Sequence, residues 1–360
     1  MFCSNLFAGV VASLCFVGDK PSVPARFENE ATIAAQAFWK EWAAKHDYRF
    51  LTTKDERVVL MVAGNRSKPE RVLDLVERSL ARVDELLPPV PAVDVPPPAD
   101  PPAAPAVWTW GTPDHPLDSD AIVVGLFRDP KDYASALETV AAAFPYLATW
   151  VKKGKYDPGC ILVRPLFAAC VDNVPGMEEW NPDNEVVHRT AQAAMWRRFG
   201  EQPIWVGLGV GWNVEFDVLK SIYCFPWRNG FVSVKEHGAW EADLRRDFSK
   251  REKQPLTMDE LAAIRRGSFD SDQAALSWGT IRFLGQHHAA ELPKLLVALH
   301  QLREKLGRVA SEDGKSWTMA AEYELPAAEQ KSAIERQVAP TAFEQASDWF
   351  RLGKKWKPAK

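Results

Sequence analysis

The stretch from Trp180 to Glu215, WNPDNEVVHRTAQAAMWRRFGEQPIWVGLGVGWNVE, constrains this chain more than any other. Asn181 is a good N-cap and Pro182 suits a first helical turn. Arg197 and Arg198 place cations in the last turn, and Gly200 supplies a stop. These signals predict a helix of about four turns. His188 and Gln192 stand four residues apart on it and so share a face, while Arg189 is turned from His188 by about 100°.

In the zincin pattern H-E-x-x-H, two histidines on such a helix hold one metal and the intervening Glu serves as general base. The five residues here are His188, Arg189, Thr190, Ala191 and Gln192. Downstream, Pro203-Ile-Trp-Val-Gly-Leu-Gly-Val-Gly-Trp212 resembles the P-x-W-L-x-E-G-L-A-E segment of the gluzincin (peptidase MA-like) family, in which the first Glu is the third zinc ligand. Leu208 stands at that position and Trp212 at the second acidic one. Upstream, GKYDPGCILVRPLFAAC looks like the strand that borders the family's substrate cleft, and Asp272 to Leu284 looks like its supporting helix. The resemblance spans residues 50 to 350 and rests on the order of segments more than on any one motif.

The resemblance implies an α+β, gluzincin-like fold: an N-terminal mixed α/β part followed by a mainly helical part. It also implies a site whose ligands have been replaced. Leu208 has no electron pair to donate, Gln192 is a poor substitute for imidazole, and Arg189 brings a permanent positive charge. The expectation is a catalytically inactive peptidase homologue without metal or cofactor, whose former cleft binds a polypeptide or only maintains the fold. Two other classes stay open: a metal-independent enzyme built around His188 and Arg189, and a purely structural cell-envelope protein. Trp205 and Trp212 are candidate walls of an aromatic groove for peptide or glycan.

Each candidate has a plainer reading. Glu185 precedes Arg189 by four residues, so the two can form an ordinary pair on the helix surface. His188 can be a core histidine. Gly207, Gly209 and Gly211 fail the G-x-G-x-x-G spacing, because Trp212 stands where the third glycine belongs. Close packing of another backbone is a better reason for them. His287 and His288 are adjacent, so they diverge on a regular helix and cannot chelate one ion together. No G-x-S-x-G or phosphate-binding G-x-x-x-x-G-K-[ST] occurs.

With 46% hydrophobic and 26% charged residues over 360 positions, the chain can bury a sizeable core. Its formal charge of -4 provides no basic field for a nucleic acid. The apolar run Leu6 to Val17 has signal-peptide length and is too short to span a membrane. Residues 1–20 are therefore read as a signal peptide and the protein as secreted or periplasmic. A cytoplasmic protein with this segment as a buried strand is the alternative. The five cysteines form no disulfide framework, and Cys160 and Cys170 can pair only if the run between them turns back.

The remaining chain divides by pattern. Residues 21–87 form an α/β segment, with a helix over 27–47, a strand over 57–63, and a helix opened by a capping box of Ser67 and Glu70. Residues 88–107 are a proline-rich linker or surface excursion. The gluzincin-like domain covers 108–352, with 21–87 packing on it, and 353–360 is a basic tail. Within that domain strands are expected at 121–127 and 159–171, with a helix from Asp129-Pro130 to 143. Residues 227–255 lack a firm apolar period and read as a solvated excursion. Helices are expected at 258–265, opened by a Thr257–Glu260 box, and at 271–288, 292–306 and 341–352.

Overall fold

The computed structural model describes residues 25–88, 107–108, 121–163, 165–176, 180–222, 239–251, 254–264, 269–310, 316–319 and 324–357. The signal-peptide reading, most of the proline-rich segment, Cys3, Cys15 and Cys224 lie outside these residues.

The fold is α+β. Five strands, β1 (Tyr48–Thr52), β2 (Val58–Ala63), β4 (Ile122–Phe127), β5 (Gly159–Leu162) and β6 (Phe167–Val171), form one mixed sheet in the order β1-β2-β4-β6-β5. The three inner strands run parallel, and both edge strands, β1 and β5, run antiparallel to their neighbours. β2 and β4 are buried along their whole length, which explains their continuous apolar runs. Val58, Leu60, Val62, Ile122, Val124 and Leu126 face one core. Val59, Met61, Val123 and Phe127 face another.

Helices cover both faces. On the second side lie α1 (Ala25–His46), α3 (Pro130–Ala143) and α4 (Ala148–Gly154), where Trp39 stacks on Phe167 at 5.1 Å. Asp129 caps α3 through the backbone N–H groups of Lys131 and Asp132, as the sequence predicts. On the first side lies α2 (Pro69–Leu86). It starts one residue later than a Ser67 cap requires, with Lys68 in a left-handed conformation and no side-chain cap bond. The Ser67–Glu70 capping box is therefore not formed. Proline at the first helical position, with its fixed φ, sets the start instead.

The same side carries α5 (Pro182–Phe199) and α6 (Ile204–Leu219), then α7 (Trp240–Lys250), α8 (Met258–Ala262), α9 (Ser271–His287), α10 (Leu292–Leu306), α11 (Ala327–Gln337) and α12 (Ala342–Leu352). The Thr257–Glu260 capping box is present at the start of α8. α7 corrects the reading of 227–255 as a solvated excursion. Trp240, Leu244 and Phe248 recur every four residues and bury one stripe against the core, which suffices for a helix whose other positions are charged. α11 falls on a segment with no strong sequence signal. A second sheet joins β3 (Val107–Trp108), β8 (Ser316–Met319) and β7 (Arg308–Ala310), so the end of the proline-rich segment pairs with the C-terminal part. Among the described residues no helix is long and apolar enough to cross a membrane.

Residues 159–171 form two strands that turn back on each other, which brings Cys160 and Cys170 onto neighbouring strands. Their register pairs Cys160 with Ala169 and Gly159 with Cys170, so the two thiols point to opposite faces and join different cores. Both are free and buried. Burial pushes the Cys160 thiol up to about 11 and the Cys170 thiol well above its usual value, so both are inert thiols.

Candidate functional site

α5 is capped as its sequence requires: the Asn181 side chain accepts from the Asp183 N–H, and Gly200 ends the helix with a φ of 70°. Almost every residue from Asn184 to Trp196 is buried, because the sheet, α2 and α6 enclose the helix. α6 turns back after the short connection 200–203 and runs antiparallel to α5. Glu215 reaches Asn184 and His188, Gly211 faces His188, and Gly207 faces Gln192.

His188 has no exposed surface. Its Nδ1 lies 3.2 Å from Glu215 Oε2, while Asn184 Nδ2 donates to Glu215 Oε1 at 2.6 Å. Burial holds the imidazole well below its usual value, and the nearby Arg189 guanidinium adds to that effect. The ring is therefore neutral, and the carboxylate selects the tautomer in which Nδ1–H is the donor. Nε2 is then the bare nitrogen. It is buried and has no hydrogen-bond partner among the described residues.

Glycine at 211 makes room for this ring. A Cβ placed there would lie 2.6 Å from His188 Nε2. Gly209 serves a different neighbour, because a Cβ there would lie 2.8 Å from the Ser277 carbonyl oxygen of α9. Two of the three glycines thus permit close approach, one of another helix's backbone and one of a buried ring, and none belongs to a nucleotide loop. α9 completes the support: Ser277 Oγ donates to the Trp205 carbonyl at 2.5 Å, and Asn213 Nδ2 to the Trp278 carbonyl at 2.9 Å.

Arg189 is 2% exposed. Its Nε donates to Glu185 Oε2 at 2.7 Å, so the four-residue pair foreseen from the sequence exists. It is not on the surface, however: both side chains are buried. The guanidinium extends to β5, where a Cβ at Gly159 would meet it at 3.1 Å. His188 and Arg189 consequently serve different neighbours, α6 for the first and the sheet edge for the second. They do not converge on a shared cleft.

The other candidates are also internal. Gln192 and Leu208 are buried, Leu208 within the apolar core. Trp212 is 0% exposed and meets His188, Trp240 and Phe269 edge-on at 5.9, 5.5 and 5.8 Å. Trp205 is 1% exposed, and its Nε1–H donates to Gln330 Oε1 at 2.8 Å. Neither indole lines an open groove. β5 is buried at all four positions, so its outer edge is not open for an added strand.

Asn184 and Glu215 are the partners that sequence reasoning missed. A signal existed for Glu215, since an acidic residue one turn beyond Trp212, following the apolar run 204–212, demands a buried partner. Among the described residues no group of three His, Cys, Asp or Glu side chains converges in a way that could hold a metal ion. An open cavity of about 490 Å³ lies elsewhere, at the start of α2, lined by Arg66, Ser67, Lys68, Arg71, Val72 and Asp172. Its arginines are already engaged by Asp172 and Asp183.

No protein-family model matches the chain, and comparison with curated proteins gives no significant match.

Proposed function

We propose that this chain is a catalytically inactive relative of the gluzincins, in which the former active-site helix pair has become structural core. The observation that carries the reading is the fate of the H-E-x-x-H positions. His188 is spent on Glu215, Arg189 on Glu185 and the β5 edge, and Gln192 is buried against α6. A hydrolytic site needs an open coordination position and a path for substrate. Three solvent-excluded positions, two packed against α6 and the third turned to Glu185 and the β5 edge, supply neither.

Support for the gluzincin part comes from the arrangement of elements. A mixed sheet with an antiparallel edge strand precedes two antiparallel helices, and the helix at 271–287 packs behind the second of them. The carboxylate on His188 Nδ1 also fits, because metal-ligating histidines usually donate their other ring N–H to such a group. A metal-independent enzyme at His188 and Arg189 is disfavoured by their burial. The role left to the protein is scaffolding or polypeptide binding, and a polypeptide would dock outside the α5–α6 seam.

The direct test is hydrolysis of a broad peptide library by purified protein, with and without added divalent metal. The reading expects no turnover above a His188→Ala control. Metal-stimulated hydrolysis that disappears in that variant would overturn it.

A further inference from the structure

α4 follows a 3-10 turn at 145–147, and bonds from Tyr156 N to the Lys153 carbonyl and from Asp157 N to the Gly154 carbonyl carry the helical path onward. Exposed positions recur along it at 145–146, 149, 152–153 and 156–157, while Val151 and Gly154 are buried. This spacing defines a single outward face. It carries Tyr146, 51% exposed, and Tyr156, 81% exposed, with Lys152 and Lys153 between them.

The composition of this face is unusual for a merely solvated one. The other large hydrophobic side chains exposed among the described residues, Ile33, Leu306 and Leu352, are aliphatic and lie on other helices. Lys152 and Lys153 make no ion pair among the described residues, whereas Lys155 is engaged by Glu138 at 2.7 Å. Asp157 is an exposed carboxylate at the end of this path, so the face carries these two unpaired ammonium groups against one carboxylate.

Lysine is depleted at the centre of protein–protein interfaces, which favour Tyr, Trp and Arg. Tyrosines flanking lysines suit a lipid headgroup layer instead: the rings sit at headgroup depth while the ammonium groups reach phosphate. An exposure of 81% also leaves Tyr156 open to contact by a flat lipid surface. We propose that this face is a weak, reversible docking surface for an anionic phospholipid membrane. The proposal is independent of the peptidase-like reading.

Co-sedimentation of the full chain with phosphatidylcholine vesicles, with or without phosphatidylglycerol, tests it. Binding is expected only to the phosphatidylglycerol vesicles and should weaken as salt rises. Lys152→Gln with Lys153→Gln should lower partitioning by roughly 25-fold, at about fivefold per cation. Tyr156→Ser, a single change at an exposed site, should lower it without altering the circular dichroism spectrum. Equal binding to both vesicle types, no binding, or binding that survives these variants would overturn the proposal. Capture of soluble polyglutamate without vesicle binding would also overturn it and reassign the face to an acidic polypeptide.

Discussion

Glu215 Oε2 lies 3.2 Å from Nδ1 of His188, and neither side chain reaches solvent. A carboxylate sealed in a helix seam is tolerable only while its acceptors are satisfied, here by His188 and Asn184. This relationship clamps α5 to α6.

Removing the clamp should be costly. Glu215→Ala removes the acceptor of His188 and of one Asn184 N–H, the other still reaching Ser221, and opens a void, so denaturant unfolding should show a loss of about 3 kcal/mol or more. Glu215→Gln keeps the volume and one acceptor oxygen, and should lose less. Equal stability of Glu215→Ala and wild type would remove the clamp from the account.

A second expectation concerns acid. Burial, reinforced by Arg189, keeps His188 neutral in the folded state, and Glu215 is the group it faces on α6. The unfolded chain takes up the proton near pH 6.5, so the unfolded state binds more protons below that value. The contribution of His188 to stability is thus present above pH 6.5 and declines as pH falls. In His188→Asn the slope of unfolding free energy against pH between 6.5 and 5 should be shallower than in wild type. An unchanged slope would show that other groups dominate this window.

The glycines of α6 should separate by position. Gly211→Ala puts a methyl group 2.6 Å from the His188 ring and should lower the melting temperature, with an overpacking loss of roughly 1–3 kcal/mol. The nearest atom to a Cβ at Gly207 is 3.7 Å away. Gly207→Ala should therefore be neutral or stabilising by up to about 1 kcal/mol through helix propensity. The reverse order of the two melting temperatures would mean that α6 faces α5 with a different rotation.

Arg189 and Glu185 form a buried pair at 2.7 Å. Arg189→Met strands the Glu185 carboxylate and should cost about 3–5 kcal/mol, whereas Arg189→Met with Glu185→Leu should recover most of that loss. A double mutant as unstable as the single one would show that the guanidinium is held mainly by other groups.

Much of the fold was legible where local chemistry decides it. Asp129, Asn181 and Thr257 cap the helices they were read to cap, and the strands at 58–63 and 122–127 follow from fully apolar runs. Local rules failed where distant partners decide. The Ser67 box gave way to Pro69, and the Cys160–Cys170 geometry depends on a strand register that spacing cannot give. α5 hides its environment from periodicity altogether. Asn184, Glu185, His188, Arg189 and Gln192 are all buried, so the helix has no polar face to contrast with an apolar one. The sequence placed His188, Arg189 and Gln192 on one capped helix. Their sealing by Glu185, Glu215 and β5 required tertiary structure.

The central claim, that the H-E-x-x-H positions have become core, is tested most directly by the zinc content of purified protein after incubation with excess zinc and removal of unbound metal. The account predicts well under one zinc per chain, with no change in His188→Ala. One zinc per chain that is lost on His188→Ala would contradict it.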